Sequence, residues 1–185
     1  GRIVKFRPGP SREYALVDPT AAHEGRELKK WRRHLVLDKP NTVVVLDEVA
    51  AEKGAEIEAR FHSECPVSPG NGFALLKGAK GAMALIPLTD APWRFREGRH
   101  ADLPVMKTAS FRWIPYTGVV REARDGTTRM AALILPVADE REAAAVARSA
   151  KIAERDGGLV ISFESGGKRH EYRFRGGEDG LVLEK

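Results

Sequence analysis

One stretch of the chain combines arginine, aromatic and histidine side chains closely enough to form a recognition surface. The segment Thr89–Leu103 contains Trp93, Arg94, Phe95, Arg96, Arg99 and His100. Guanidinium groups bind carboxylates and sulfates through paired hydrogen bonds, and aromatic rings stack on sugars or on bases. The segment shows no strand or helix pattern, so we predict a long irregular loop of the kind that is functional or mobile. An ordinary loop whose aromatic side chains pack onto a sheet edge is the alternative interpretation.

The five histidines do not have the sequence spacing that metal sites often use. Their positions are His23, His34, His62, His100 and His170. His34 and His62 fall on strand-like segments that flank a central one. A zinc site needs a third ligand, and the donors available to this pair are Asp18, Asp47 and Glu58. We interpret the pair as hydrogen-bonded or exposed sheet residues, with a zinc site as the alternative, and predict no metal-binding residue.

The sequence contains no arrangement typical of a catalytic nucleophile or of a phosphate-binding loop. Asp47 and Glu48 are adjacent carboxylates that can in principle perform acid–base chemistry, but the predicted end of a strand at this point favours capping by Asp47. Cys65 has no basic helix terminus nearby that would activate its thiol. The serines lack a Gly-x-Ser-x-Gly context, and the glycine-rich turns do not lead from a strand into a helix. We therefore predict no catalytic residue.

The sequence pattern that predicts β-strands is clearest between Trp31 and His62, and these strands must position the side chains discussed above. On the first, Trp31, Arg33, Leu35 and Leu37 form the predicted apolar face, and Arg32, His34 and Val36 form the other. The second, Thr42–Leu46, is continuously apolar and β-branched, as in a strand buried on both faces. The third alternates strictly, with Ile57, Ala59 and Phe61 on one face and Glu56, Glu58, Arg60 and His62 on the other. We predict an antiparallel meander of these three strands around a central core strand.

The rest of the chain continues the pattern of short strands separated by turns. Residues 1–7 with 12–18 and residues 73–77 with 82–88 form predicted hairpins. We also predict a loop over residues 63–72, and two strand-like pieces, around Ala109, Phe111 and Trp113 and over Thr117–Val120, that Pro115 separates. A helical pattern occupies residues 139–154, where Asp139 and Glu142 resemble a capping box. About a dozen short strands with frequent turns are typical of a sandwich. We therefore predict an all-β fold, an antiparallel β-sandwich that forms one domain over residues 1–185, with one short helix within residues 139–154.

The composition is that of a globular domain with a mixed surface charge. The 185 residues carry a formal net charge of +5, but basic and acidic residues are interleaved along most of the chain. A solvated mixed surface is the simpler interpretation, and a field that attracts an acidic partner is the alternative. The single cysteine excludes an intrachain disulfide, which fits a reducing compartment without excluding export. No apolar run approaches the roughly 20 residues that span a bilayer, so we predict no membrane partner.

Several short motifs resemble the C-terminal β-sandwich of the heparinase II/III-like polysaccharide lyases, a family that includes alginate lyases. The motifs are Trp31-Arg32-Arg33-His34-Leu35-Val36, Lys39-Pro40, Val43 to Asp47-Glu48-Val49, and Ala59-Arg60-Phe61-His62. Segments before and after them are also similar to that family: Gly1–Phe6, Ala15–Ala22, Ser110–Tyr116 and Ala131–Pro136. The resemblance therefore spans most of the chain.

The resemblance implies that the full-length protein cleaves uronic-acid glycans, such as a glycosaminoglycan or alginate, by β-elimination. Family members carry an N-terminal α/α toroid with a catalytic tyrosine and a charge-neutralising Asn or His. They also carry His-rich motifs at the start of the sandwich, where catalytic and zinc-binding residues reside. None of these motifs occurs in this sequence, which begins at Gly1. We therefore expect a fragment or subunit that is inactive alone, with any zinc ligands of the parent upstream.

The resulting functional prediction is a non-catalytic scaffold that also lines the substrate cleft. Its predicted substrate-binding residues are Trp93, Arg94, Arg96, Arg99, His100 and Tyr116. We expect no cofactor and no nucleic acid, and the expected partners are an anionic polysaccharide and the toroid of the same parent. The compartment stays open, with a periplasmic or secreted bacterial parent favoured over a cytoplasmic one. The alternative function is a stand-alone carbohydrate-binding or interaction module.

Overall fold

The computed structural model describes residues 1–23, 28–102, 112–177 and 180–184. The strands in this part of the chain are β1 (Arg2–Arg7), β2 (Arg12–Asp18), β3 (Leu28–Asp38), β4 (Thr42–Ala51), β5 (Glu56–His62), β6 (Val67–Gly70), β7 (Phe73–Gly78), β8 (Gly81–Thr89), β9 (Arg94–Asp102), β10 (Arg112–Glu122), β11 (Thr128–Val137), β12 (Lys151–Arg155), β13 (Gly158–Ser165), β14 (Lys168–Gly177) and β15 (Gly180–Leu183). A 3-10 helix (Thr20–His23) and the α-helix α1 (Glu140–Ser149) are the described helices. Neither is long and apolar enough to cross a membrane.

The described strands form three antiparallel sheets. The large sheet has the order β1-β2-β3-β4-β11-β8-β7-β6, the small sheet has the order β5-β10-β9, and the cover sheet has the order β12-β13-β14-β15. Both predicted hairpins are present, as β1–β2 and β7–β8. The predicted all-β, antiparallel, sandwich-like fold is therefore confirmed, with fifteen described strands in place of about a dozen.

The large sheet is the middle layer, and its central strand β4 is buried on both faces. Val44 and Leu46 point into the main core, which apolar side chains of the cover sheet and α1 complete. Val45 points the other way, towards the small sheet, and only 6% of its surface is exposed. A strand enclosed between two layers needs apolar side chains on both faces. This explains the uninterrupted apolar run from Thr42 to Leu46 and confirms the prediction drawn from it.

The predicted meander is wrong in its third strand. β3 and β4 pair along their length, but the other neighbour of β4 is β11. β5 instead joins the small sheet, where it pairs with β10. At the turn between β4 and β5, Gly54 has a φ of 81°, which favours glycine, and its N–H donates to the Ala123 carbonyl. The chain therefore leaves the large sheet here, and His34 and His62 lie in different sheets.

The face of β3 that packs in the core is the opposite of the predicted apolar face. Arg32, His34 and Val36 are buried on the core face, whereas Leu35 on the other face is partly exposed. Buried polar side chains are tolerated when they have partners. Arg32 forms an ion pair with Asp18, and both ring nitrogens of His34 are hydrogen-bonded. A side chain that reads as polar in the sequence can therefore belong to the core.

The segment predicted as a long irregular loop is largely a strand. β9 pairs with β10 from Arg94 opposite Val120 to Asp102 opposite Arg112. Among the described clusters, Phe95 is the β9 side chain that packs between the small and large sheets. β9 is an edge strand whose other side chains are mainly charged, so it lacks the apolar alternation by which half-buried strands are recognised.

Two other predicted interruptions are also wrong. β10 continues through Pro115, which lies opposite Arg99 of β9. The segment 63–72 was predicted as a loop, but it contains β6, which pairs with β7. Of the strand predicted around Ala109, Phe111 and Trp113, the first two residues lie outside the described residues, and Trp113 lies in β10.

The helix α1 begins at the predicted cap. The Asp139 carboxylate accepts a hydrogen bond from the Glu142 N–H at 2.9 Å, and the Glu142 carboxylate accepts one from the Ala138 N–H at 2.6 Å. Both carboxylates satisfy N–H groups near the helix start, as a capping box does. The helix is shorter than predicted because Ala150 is extended, and residues 151–155 form β12, which hydrogen-bonds to β13.

A chain of buried polar groups joins the large sheet to the cover sheet. The Tyr14 hydroxyl lies 3.0 Å from His34 Nδ1, and His34 Nε2 lies 3.1 Å from Glu48 Oε1. The Leu181 N–H of the cover sheet donates to the same oxygen at 2.9 Å. With its proton on Nε2, His34 donates to Glu48 and accepts from Tyr14. Burial by itself raises the pKa of Glu48, but hydrogen bonds from His34 and Leu181 and the charge of Arg129 hold that pKa below its ordinary 4.5.

We expect the substitution Glu48→Gln to weaken the acid dependence of stability. A carboxylate with a lowered folded pKa stabilises the protein above its unfolded pKa, and this contribution is lost as the pH falls through the folded pKa. The free energy of unfolding should therefore decrease below about pH 4.5, and less steeply in the variant. At neutral pH the variant should lose about 1–3 kcal/mol, because a charged hydrogen-bond acceptor is removed.

Urea unfolding at a series of pH values measures both effects. Glu52→Gln is the matched control, because Glu52 is exposed at the end of the same strand region. Identical acid dependence in Glu48→Gln and the unsubstituted protein would contradict the role assigned to Glu48.

Candidate functional site

The outward face of the small sheet is the surface of β5, β10 and β9 that points away from the large sheet. Strand alternation places Glu56, Glu58, Arg60, His62, Arg94, Arg96, His100 and Tyr116 on it. The opposite face carries Ile57, Phe61 and Phe95, which pack against the large sheet. Four of the predicted substrate-binding residues therefore share one surface: Arg94, Arg96, His100 and Tyr116.

The other two predicted substrate-binding residues lie elsewhere. The Trp93 ring packs against Phe95 with 4.9 Å between centroids, in the apolar layer beneath the small sheet. Arg99 is exposed, but strand alternation directs it away from the side of β9 that carries His100. For Trp93, the structure agrees with the alternative interpretation, in which the aromatic side chain packs onto the sheet.

Tyr116 crosses the neighbouring strand because the residue opposite it is Gly98. A Cβ atom at Gly98 would lie 2.3 Å from Tyr116 Cζ, which is closer than two carbon atoms approach. The Arg60 guanidinium stacks on the Tyr116 ring, with 4.7 Å from Cζ to the ring centroid. His62 lies 5.6 Å from the Tyr116 ring and 5.8 Å from the His100 ring, between centroids. A phenol, a guanidinium and two imidazoles therefore lie side by side.

Carboxylates orient the arginines of the outward face. Glu56 accepts hydrogen bonds from Arg96 at 2.8 Å and from Arg94 at 2.7 Å, and these lower the pKa of Glu56 from 4.5 to about 2. Glu58 accepts from Arg60 at 2.8 Å. Three guanidinium groups thus face two carboxylates. The excess of one positive charge among these five groups suits this face to anions.

Sequence reasoning identified only part of this surface. Strict alternation correctly placed Arg60 and His62 on one face of β5, but it did not place either in the binding set. Their proximity to Tyr116 and His100 arises from pairing between β5 and β10 and between β10 and β9. The local sequence contains no signal for these long-range registers.

A second feature, the β5 cleft, opens where the free edge of β5 meets the large sheet. Its volume is about 570 Å³, within the range of small-ligand pockets. Trp31, Arg33 and Asp47 line it from the large sheet, and Ile57 and Arg60 line it from β5. The cleft therefore connects the outward face to the face of β3 that the sequence identified as apolar.

The ion pair of Arg33 and Asp47 forms the floor of the β5 cleft. Arg33 donates to both carboxylate oxygens of Asp47 at 2.8 Å, and the Trp31 indole N–H donates to Asp47 at 2.7 Å. Burial by itself lowers the pKa of Arg33, but Asp47 raises it above its ordinary value. The prediction that Asp47 caps a strand end is wrong, because β4 extends to Ala51.

Asp47 and Glu48 also cannot act together as an acid–base pair. As neighbours in a strand they point to opposite faces of the large sheet. Within residues 1–23, 28–102, 112–177 and 180–184, no three His, Cys, Asp or Glu side chains come together in a way that could hold a metal ion.

We expect Gly98→Ala to displace Tyr116 and to cost about 1–3 kcal/mol of stability, because the added Cβ overlaps the ring. Thermal or urea unfolding measures the cost. The same substitution in a Tyr116→Ala background should cost clearly less, because the overlapping ring is gone. An equal cost in both backgrounds would show that the close approach of Tyr116 to Gly98 is not what excludes a side chain there.

No family model and no curated protein matches the sequence. Solved structures do match the fold. Heparinase III aligns over 93% of this chain with a TM-score of 0.66 and 12% identity. The heparan sulfate lyase HepC from Pedobacter heparinus aligns over 98% with a TM-score of 0.67 and 14% identity. A chondroitin AC lyase from Streptomyces coelicolor A3 aligns over 90% with a TM-score of 0.50 and 14% identity.

The matched enzymes are much longer than this chain. The chain spans 27% of the length of the heparinase III and HepC structures and 26% of the chondroitin AC lyase. At these identities the comparison concerns the fold. The chain has the fold of about a quarter of heparinase III and HepC, so the predicted resemblance to the heparinase II/III-like polysaccharide lyases is confirmed at the level of fold.

Proposed function

We propose that this chain is the β-sandwich domain of a heparinase II/III-like polysaccharide lyase and that it has a non-catalytic, cleft-lining role. The observation that carries the proposal is the fold match to HepC, which covers 98% of this chain but only 27% of that enzyme. The full-length protein would cleave a uronic-acid glycan by β-elimination. This domain would support the catalytic part and contribute contacts to the glycan.

The environments of the tyrosines support a non-catalytic role. β-Elimination needs a group that removes the proton beside the uronate carboxyl, and this group must reach the substrate. Tyr14 and Tyr172 are buried, and burial raises the pKa of each hydroxyl. Tyr116 is partly exposed, and the Arg60 guanidinium stacks on its ring. Two of the three tyrosines are therefore unsuited to act as the base, and because the chain spans only 27% of HepC, we assign the base to another part of the full-length protein and test Tyr116 directly below.

The outward face and the adjoining β5 cleft are the proposed contact surface for an anionic polysaccharide. Arg60, His62 and His100 provide N–H donors for carboxylate or sulfate groups. The salt bridge of Arg60 to Glu58 holds the guanidinium in place at 2.7 Å, which reduces the side-chain entropy lost on binding.

We propose that the described part of the chain holds no cofactor. The described residues do not assemble three metal-binding side chains, so they do not fit a zinc ion. We propose that any zinc of the full-length lyase uses ligands upstream of this chain.

In an assay for elimination, residues 1–185 alone should form no unsaturated uronate from heparan sulfate, chondroitin sulfate or alginate. The full-length protein should form it from at least one of these glycans, because it also contains the base. Ultraviolet absorbance of the unsaturated product is the measurement. Product formation by residues 1–185 that Tyr116→Phe abolishes would overturn the non-catalytic role.

In the full-length protein, Arg60→Ala and His100→Ala should each raise KM roughly 3- to 10-fold with little change in kcat, since contacts made equally in ground and transition states act on KM. Lys80→Ala, in the exposed turn between β7 and β8, is the matched control and should change neither. A large fall in kcat with an unchanged KM would assign these residues to chemistry instead.

A stand-alone carbohydrate-binding module is the second candidate, and the stacked Tyr116, Arg60 and imidazole groups of the outward face favour it. The two functions differ in what residues 1–185 do alone. Tight glycan binding by this chain, lost in Arg60→Ala, would support the module, whereas binding only in the full-length protein supports the lyase domain.

A further inference from the structure

A groove opens where two sheet edges approach each other, between β1 of the large sheet and β15 of the cover sheet. Its volume is about 480 Å³, within the range of small-ligand pockets. The side chains that the argument uses are Lys5 and Arg7 of β1, Arg175 of β14, Val182 and Leu183 of β15, and Glu184. We call this feature the edge groove.

The edge groove is separate from the candidate site. Arg7 lies opposite Tyr14 in the pairing of β1 with β2, and Tyr14 belongs to the main core between the large sheet and the cover sheet. The small sheet, which carries the outward face, packs on the other side of the large sheet. A ligand in the edge groove would therefore be separated from the outward face by the large sheet.

The edge groove has more positive than negative charge. Lys5 and Arg7 are two residues apart in β1 and line the groove together with Arg175. Arg175 Nε donates to Glu184 Oε1 at 2.9 Å, so one carboxylate faces three basic side chains. Within the part of the chain that the structure describes, Lys5 takes part in no ion pair. The groove thus has an excess of two positive charges, which suits it to an anion.

The fold holds Arg7 in position before any ligand binds. Arg7 Nη2 donates to the backbone carbonyls of Leu183 and Glu184 at 3.0 and 3.2 Å, and the guanidinium carbon lies 5.3 Å from the centroid of the Tyr14 ring. A side chain that is already ordered loses little conformational entropy on binding. Nε and Nη1 of Arg7 make no hydrogen bond to any described residue. They can therefore donate to a carboxylate or sulfate.

The edge of β15 does not suit a peptide that binds as an added strand. Such a peptide needs unpaired backbone groups along the edge of a sheet. On the side of β15 away from β14, the Leu181 N–H donates to Glu48, and the Leu183 carbonyl accepts from Arg7. Side chains of the large sheet thus already use these backbone groups. A ligand of the edge groove must be recognised through the charged side chains instead.

The edge groove also lacks the side chains that stack on nucleic-acid bases. None of the described residues that line it is aromatic, whereas single-stranded nucleic acid is bound by basic and aromatic side chains together. We propose that the edge groove is a second anion-binding site that takes the sulfate and carboxylate groups of an anionic polysaccharide. This site is additional to the outward face and the β5 cleft, and it rests on the proposed function only for the identity of the polymer.

A second site has a consequence for long substrates. A polysaccharide carries many anionic groups, so one of its segments can occupy the edge groove while others stay free. Retention at the groove raises the concentration of those other segments near the protein. The edge groove would therefore favour long chains over short ones without taking part in the chemistry.

Residue-specific NMR of residues 1–185 tests the edge groove directly. During titration with a heparan sulfate tetrasaccharide, the backbone amide signals of Arg7, Val182 and Glu184 should shift and reach saturation. Sodium sulfate at the same ionic strength should bind there at least about tenfold more weakly, because a single anion meets fewer charged hydrogen-bond donors.

A pair of double variants separates specific binding from net charge. Lys5→Ala with Arg175→Ala should weaken tetrasaccharide binding at the groove roughly 5- to 20-fold, because two of its three cations are lost. Lys151→Ala with Arg155→Ala is the matched control, since it removes the same charge from β12 at the other edge of the cover sheet, and it should change the groove Kd by less than about twofold. All four side chains are exposed, so folding should be preserved. Arg7 is left unchanged because it joins β1 to β15.

Three results would overturn the proposal. They are groove amide signals that do not shift to saturation, equal weakening by the control pair, and sulfate binding as tight as that of the tetrasaccharide, which would make a free anion the occupant. Failure of the proposed function has a different outcome. In that case the groove signals shift, but those of the outward face do not, and the full-length protein forms no elimination product.

Discussion

The structure depends on the enclosure of β4 between two layers. Its neighbouring carboxylates, Asp47 and Glu48, point to opposite faces of the large sheet, and neither can be buried without partners. Glu48 meets His34 and the Leu181 N–H on the cover-sheet side, while Asp47 meets Arg33 and Trp31 on the other side. The cover sheet is therefore joined to β4 by apolar packing and by the Leu181–Glu48 hydrogen bond, whereas the Asp47 contacts to Arg33 and Trp31 hold β3 and β4 together within the large sheet.

This enclosure also sets the geometry of the candidate site. Phe61 and Phe95 hold the small sheet against the large sheet, so the alternate side chains of β5 and β9 must point outward. The pairing of Tyr116 with Gly98 then lets the phenol ring lie across β9, where Arg60 stacks on it. The candidate surface is thus a consequence of packing on the other side of the same three strands.

The large sheet is covered fully on one face and only partly on the other. The small sheet lies over β4 but not over the strands towards β1, so Val45 is 6% exposed whereas Phe6, in the same row of paired residues, is 60% exposed. The β5 cleft lies at the boundary between the covered and uncovered parts.

The sequence by itself determined which side chains share a strand face, where the β1–β2 and β7–β8 hairpins turn, where α1 is capped, and the resemblance to polysaccharide lyases. Those features depend on contacts within a few residues or on short motifs. Only the tertiary structure decided that β11, not β5, pairs with β4, that the His34 face of β3 is the core face, and that residues 94–102 form a strand. It also decided which half of the site assembles, because Arg60 and His62 meet Tyr116 and His100 through pairing between distant segments. The alternation of side chains along a strand shows which residues share a face. It does not show what that face packs against, since that depends on partners far away in the chain.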